Sequence, residues 1–297
     1  MIFEVSAVFM NIVGHRRVCI QLERAILCGR VLHAYIFSGP EYIGKQLVSL
    51  EFCRMLGVEF PMRIAPERIE ERGKVKYRKI GVETIRKAIR GLGLSVSGDG
   101  RRALIIDGAE NLSESAQNAL LKTIEEPLSG TTIILITHNE GALLPTVISR
   151  VERVSFSLVS KEDILHAYPE CPESVMILGR PGIAFLWREN LDSTREIVSL
   201  FDRLRLFRTL DFGDRFAIAE ILALDTRLAE RLLSWWAGSV QVEINSATSL
   251  RDRIDHLKLL SGISSTLRDI VRFPGSARLI LEYFFLAGKN AENESIR

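Results

Sequence analysis

The sequence predicts an α/β fold: a parallel sheet covered by helices on both faces, followed by a short helical segment and an all-α domain. Three observations carry this. Apolar runs without polar alternation, HAYIFSG (33–39), ALIID (103–107) and TIILIT (132–137), read as strands buried on both faces. Stretches with helical spacing lie between those runs, and strands alternating with helices build parallel sheets. Strand signals stop after about residue 158, and the remainder is rich in Leu and Arg at helical spacing. The expected boundaries are 1–158 for the sheet domain, 159–190 for the helical segment and 191–297 for the all-α domain.

The apolar start MIFEVSAVFMNIVGH lacks a basic leader and contains Glu4, so it reads as a short core-packing strand or helix, not a signal peptide. Met10 is an alternative first residue. Residues 16–29 set Val18, Leu22, Ala25 and Ile26 at helical spacing and end at Gly29. After the strand at 33–39, residues 45–57 repeat the pattern with Leu47, Leu50, Met55 and Leu56 and stop at Gly57. Residues 58–81 are polar and basic, a loop with one strand around YRKIG (77–81). Val82, Ile85, Ile89 and Leu92 mark an amphipathic helix over 82–94, and SGDGR (97–101) a turn. Ser113 is placed to cap a helix with Glu114 in its first turn and Ala116, Ala119, Leu120 and Ile124 on one stripe, stopping before Pro127. VERVSF (151–156) is a last, shorter strand. Short helices broken by PECPES and GRPG fill 160–190, and long helical patterns such as DTRLAERLLSWWAG (225–238) follow.

Composition narrows the function. The chain has 297 residues, 47% apolar and 26% charged, with a net charge of +2, which gives no general argument for a polyanion partner. The basic clusters RGKVKYRK (72–79) and Arg101-Arg102 are solvated loops or local phosphate contacts. The four cysteines form no CxxC pair, so neither a zinc site nor a disulfide framework is expected, and reduced thiols fit a cytoplasmic protein. The longest apolar runs are too short for a membrane span.

Residues 39–46, GPEYIGKQ, come within one residue of a phosphate-binding loop: Gly39, Gly44 and Lys45 are present, in a strand–loop–helix setting, but Gln46 stands where a magnesium-binding Ser or Thr belongs. Such a loop works by aiming backbone N–H groups and a helix N-terminus at an anion. Glu41 adds negative charge, and Tyr42 and Ile43 add bulk. Asp107, in LIIDGAE (104–110), is placed to hold a metal, but Gly108 stands at the position of a catalytic Glu, and Glu110 needs a different turn to replace it. Changes in both halves of one apparatus favour a protein without ATP hydrolysis.

Three segments, GHRRVCIQLERAILCGRVLHAYIFSGP, RRALIIDGAENLSESAQNALLKTIEEP and LLPTVISRVERVSF, resemble the AAA+ clamp-loader family of bacterial replication over residues 11–157. The likeness continues more thinly through LGRPGIAFL (178–186) and PGSARLILEYFFL (274–286). It implies an AAA+ sheet domain with a degenerate loop, a helical lid at 159–190 and a C-terminal collar. It also implies a trans arginine finger from the family's Ser-Arg-Cys motif, here Ser149, Arg150 and Val151; the alternative for Arg150 is an intramolecular salt bridge. Thr137 matches a γ-phosphate-sensing position or serves as a strand-end hydrogen-bonding residue. Lys122, Glu125 and Glu126 face a neighbouring subunit, a DNA chamber or solvent. Arg180 does not fit the spacing of a second sensor. The implied partners are gamma/tau-like ATPase and delta-like subunits in a heteropentamer, and through them the sliding clamp and primed DNA, with no membrane. No zinc module is expected, because residues 54–103 hold no cysteine. ATP and metal are not expected as bound cofactors. The competing reading is an active AAA+ ATPase, either the loader's motor subunit or a helicase loader. A DNA-binding scaffold acting alone is disfavoured by the near-neutral charge and the lack of interleaved aromatic and basic residues.

Overall fold

The computed structural model describes residues 12–71, 74–94, 100–189 and 192–293. The expected N-terminal element over 1–11, Met10 and most of the turn at 97–101 lie outside them. The chain forms two compact units, one from residues up to 69, 76–171 and 179–185, the other from 70–75, 172–178 and 186 onward.

The first unit holds helix α1 (Arg16–Leu27), strand β1 (Ala34–Ser38) and helix α2 (Lys45–Met55), then strand β2 (Met62–Ile64). Strands β3 (Arg68–Glu71) and β4 (Lys74–Tyr77) pair as a separate two-stranded sheet. There follow α3 (Val82–Leu94), β5 (Arg102–Asp107), α4 (Glu114–Glu125), β6 (Thr131–Thr137), α5 (Pro145–Ile148), β7 (Glu152–Ser155) and α6 (Lys161–Ala167). The main sheet runs β2-β5-β6-β1-β7, with every pair parallel. Three strands appear between 58 and 81 where one was expected. Each has three or four residues, and Met-Arg-Ile of β2 sits at the sheet edge, so no apolar run announces them.

The pleat sends alternate strand residues into two cores. Tyr35, Phe37, Ile105, Ile134 and Val154 meet Leu22 of α1 and Val48 and Phe52 of α2 on one face. Ile36, Leu104, Ile106, Ile133 and Leu135 meet Ile85 and Leu92 of α3 and Leu120 and Ile124 of α4 on the other. Burial on both faces is why the strands show no polar alternation. Ser113 caps α4 as expected, its hydroxyl accepting from the Ala116 N–H at 3.2 Å. Register places Ser38 beside Thr137 and Asp107 beside Ile136, so β1, β5 and β6 end along one carboxyl edge. Open α/β sheets bind ligands at that edge.

The expected lid segment contains α6, α7 (Glu173–Ile177) and α8 (Pro181–Arg188). The second unit is mostly α9 (Asp192–Arg205), α10 (Phe212–Leu224), α11 (Thr226–Ser246), α12 (Leu250–Arg272) and α13 (Ala277–Asn293). Trp235 and Trp236 are core residues there, edge-on to Phe201 and Phe207 with centroids 6.2 and 5.4 Å away. Buried Arg215 crosses this core, its guanidinium 4.4 Å from the Phe207 ring centroid and its Nε donating to the Leu210 carbonyl at 3.0 Å.

Phe52 is fully buried against Tyr35 and Phe37. Phe52→Ala is expected to cost about 3–5 kcal/mol, and Ser113→Ala about 1 kcal/mol through the lost cap. Urea unfolding at fixed pH measures both; equal losses contradict the core assignment.

Candidate functional site

The site grows from the turn between β1 and α2. Gly39 has φ +144°, and a Cβ there would lie 2.3 Å from the Phe156 carbonyl oxygen, so only glycine fits. Gly44 begins α2 at φ +98°, and Tyr42 holds φ +61°, a left-handed conformation uncommon for a bulky residue. Five consecutive carbonyls of the loop are then fastened by side chains and backbone from three directions. The Lys45 Nζ donates to the Gly39 and Pro40 oxygens at 2.6 and 2.5 Å. Arg180 Nη1 donates to the Glu41 oxygen. The Gly182 N–H donates to the Tyr42 oxygen at 2.8 Å. His15 Nε2 donates to the Ile43 oxygen at 2.7 Å, which sets its tautomer. Burial lowers the His15 pKa, outweighing the Ile43 hydrogen bond, and the nearby Lys45 charge adds to the effect.

Opposite the loop, Gly108 turns the chain out of β5 at φ +70° into a 3₁₀ turn over Ala109–Asn111. This is the different turn that Glu110 requires, and it brings that carboxylate into the site. Glu110 Oε2 accepts from the Thr137 hydroxyl at 2.7 Å, and Oε1 lies 3.0 Å from His138 Nδ1. The Thr137 hydroxyl also accepts from the Asn139 N–H at 3.0 Å. Glu41 Oε1 lies 3.9 Å from the same imidazole nitrogen. The Glu110 hydrogen bond raises the His138 pKa against the effect of burial. Burial on its own would raise the Glu110 carboxyl, but the hydrogen bonds and charge of His138, with the Thr137 hydroxyl, bring it below its usual range. Asp107 is raised, by burial first and then by the Glu110 charge.

Lys45 is 7% exposed. Burial lowers its pKa from 10.5 to about 8, although the carboxylates of Glu41, Glu110 and Asp107 pull upward. The ammonium that would neutralise a phosphate already serves two carbonyls of its own loop. Gln46 brings no hydroxyl for magnesium. The charged groups around the loop are mixed, with Glu41, Asp107 and Glu110 against Lys45 and Arg180, so the feature that departs from a magnesium triphosphate site is Gln46.

Ser149 and Arg150 occupy the turn after α5, which starts at Pro145. Arg150 Nε is 2.8 Å from Glu125 Oε1, with the side chains 42% and 48% exposed. Its Nη1 donates to the Thr146 oxygen at 3.1 Å and to the Ser149 hydroxyl at 3.3 Å. An exposed pair of this kind is worth about 0–1 kcal/mol, so the guanidinium is easily given up to a stronger anion. Lys122 and Glu126 are exposed, as expected.

The predicted residues thus fall in two groups. Gly39, Gly44, Lys45, Asp107 and Thr137 converge at the carboxyl edge of the sheet, while Ser149 and Arg150 form a separate exposed corner. His15, His138, Arg180 and Gly182 were missed as site residues. Arg180 was set aside on spacing, and its bond to a residue 139 positions away leaves no local signal. Cys19, Cys53 and Cys171 are buried and Cys28 is exposed. Among the described residues no cluster of His, Cys, Asp and Glu is placed to hold a metal, and no helix is long and apolar enough to cross a membrane.

Residues 14–160 match the family described as DNA polymerase III, delta subunit. The chain is 24% identical to DNA polymerase III subunit tau of Salmonella typhimurium, over 95% of this chain and 50% of that protein. It is 30% identical to subunit tau of Bacillus subtilis, over 78% of this chain and 43% of that one. It is 26% identical to subunit delta' of Pseudomonas aeruginosa, over 48% of this chain and 50% of that one. The chain therefore spans about half or less of the length of these relatives. A gamma subunit-related protein of Thermotoga maritima shares the fold, with a TM-score of 0.51 at 19% identity, covering 91% of this chain and 99% of that structure.

Lys45 opposes folding at neutral pH. A native pKa of about 8 against 10.5 unfolded means the unfolded chain binds more protons between those values, so the Lys45 contribution to stability rises with pH across that window. Between about pH 7.5 and about pH 9.5 the stability of the wild type relative to Lys45→Met is expected to rise by about 2 kcal/mol. Denaturant titration at the two pH values checks this; a flat difference removes the buried ammonium from the account.

Proposed function

Because this chain is a member of the AAA+ clamp-loader family, we propose that it acts as a delta-prime-type subunit, a non-catalytic stator of the DNA polymerase III clamp loader. It contributes Arg150, with Ser149 beside it, to ATP held by a neighbouring subunit while the sliding clamp is loaded on primed DNA. The observation that carries the reading is the self-fastened loop, in which Lys45 donates to Gly39 and Pro40 while Gln46 brings no hydroxyl. A subunit that does not turn over ATP keeps a role at a shared site by lending charge. An exposed arginine behind a Pro145 turn suits that role, because a trans arginine stabilises the charge developing on the γ-phosphate.

The partners in this reading are gamma/tau-like and delta-like subunits in a heteropentamer. Residues 1–158 form the AAA+ domain, 159–190 the lid and 191–297 a collar. Exposed Leu250, Ile254 and Leu257 on α12 and Leu279 and Tyr283 on α13 support a collar surface that packs on other subunits. The chain works in the cytoplasm, without zinc.

One observation favours a second reading, an active ATPase such as the loader's motor subunit or a helicase loader. The turn at Gly108 does bring Glu110 to the carboxyl edge, where a water-activating base would stand. The two readings separate by phosphate release from the purified chain with magnesium and ATP. No turnover above background is expected; turnover at the rate of an active loader subunit overturns the stator reading. In a reconstituted loader, Arg150→Ala is expected to slow hydrolysis by roughly 10³-fold at the one site it serves, with a smaller loss for the whole complex. Unchanged DNA-stimulated hydrolysis rejects the finger.

A further inference from the structure

Arg150 does not wait free in solvent. Its Nε sits on Glu125, the last residue of α4, and its Nη1 on the Thr146 carbonyl and Ser149 hydroxyl. The end of α4 is an unusual place for acid. A helix C-terminus carries partial negative charge and favours cations, yet α4 ends on Glu125 and is followed at once by Glu126, with Lys122 the one basic residue of its last turn. The arginine supplies the missing cation from another element. We propose that Glu125 is the resting partner of Arg150: its carboxylate parks the guanidinium against the end of α4 until a neighbouring subunit's triphosphate displaces it.

The proposal rests on the assignment of Arg150 as a trans arginine. Glu125 is then a positioning residue. Its carboxylate holds Arg150 in a defined place, and it also competes with the phosphate for the same N–H donors. A γ-phosphate carries more charge than a carboxylate and takes arginine through paired hydrogen bonds, so the exchange runs toward the nucleotide once a subunit docks. Without a docked triphosphate the pair keeps an unattended cation off other anions.

The consequence is a split between binding and turnover. Glu125→Gln keeps the shape and removes the competing charge. In a loader reconstituted with this chain and gamma/tau-type ATPase subunits, the KM for ATP at the served site is expected to fall about two- to five-fold, the span of an exposed ion pair. The change in kcat should be smaller than the change in KM. Glu125→Asp, which retains the charge, should lie between wild type and Glu125→Gln. Both positions are exposed, and thermal melts of the free variants provide the folding control. If Arg150→Ala abolishes stimulation but Glu125→Gln leaves KM unchanged, the parking role is wrong and the arginine assignment survives. If Glu125→Gln lowers kcat as deeply as Arg150→Ala, Glu125 acts in the reaction itself and the parking role is also wrong. If Arg150→Ala changes nothing, the arginine assignment falls and the parking role with it.

Discussion

The carboxyl edge of the sheet depends on one constraint: the carbonyls of residues 39–43 are all hydrogen-bonded, two by Lys45 of the same loop and three by His15, Arg180 and Gly182 from elsewhere in the chain. His15 at the start of α1, Lys45 at the start of α2 and Arg180 and Gly182 in the 179–185 segment each hold part of that row. A phosphate loop holds its anion through N–H groups at a helix N-terminus. Here the shape is fixed through the opposite set of backbone groups, the carbonyls. Gly182 has no room for a side chain, since a Cβ would lie 2.7 Å from the Tyr42 oxygen.

The balance of terms explains why Lys45 stays. Holding its ammonium in a buried place costs about 3 kcal/mol at neutral pH, from a pKa of about 8 against 10.5. Hydrogen bonds from a charged donor are worth about 1.5–3 kcal/mol each, and Lys45 makes two to its own loop. The two bonds offset that cost, so the lysine is held as a strut within its own loop. The carboxylates of Glu41, Glu110 and Asp107 already act within that value, pulling toward the charged form against burial. The same acid helps the loop keep its lysine charged.

Sequence reading found the sheet because burial on both faces leaves a plain mark, apolar runs such as ALIID and TIILIT closed by Gly or polar residues. It found the helices by spacing and their ends by Ser113, Gly29 and Gly57. It missed β2 and the β3–β4 pair, since three or four residues carry no period. The loop and its partner strand were legible as a motif with two substitutions. The meaning of one substitution was not, because Gly108 looked like a lost carboxylate. It is a left-handed turn that moves the acid two residues on, to Glu110. His15, His138 and Arg180 were invisible for another reason. Each acts through long-range contacts, and nothing around it in the chain records where the fold will carry it.

The two groups of site residues make opposite physical demands. A strut must be buried, multiply bonded and insensitive to what binds outside, and the loop has those properties through His15, Lys45 and Arg180. An arginine that serves another subunit must be exposed and held by bonds weak enough to exchange, and Arg150 has those through Glu125, Thr146 and Ser149. The sheet separates the demands by position. The strand-end residues Ser38, Asp107 and Thr137 gather at the carboxyl edge around the strut, while the exchangeable cation sits on the turn that leads from α5 into β7. The two places can therefore vary independently. Gln46 and Gly108 lie away from the backbone that presents Arg150, so under the proposed stator role one half of a shared reaction is lost while the group given to the other half is kept.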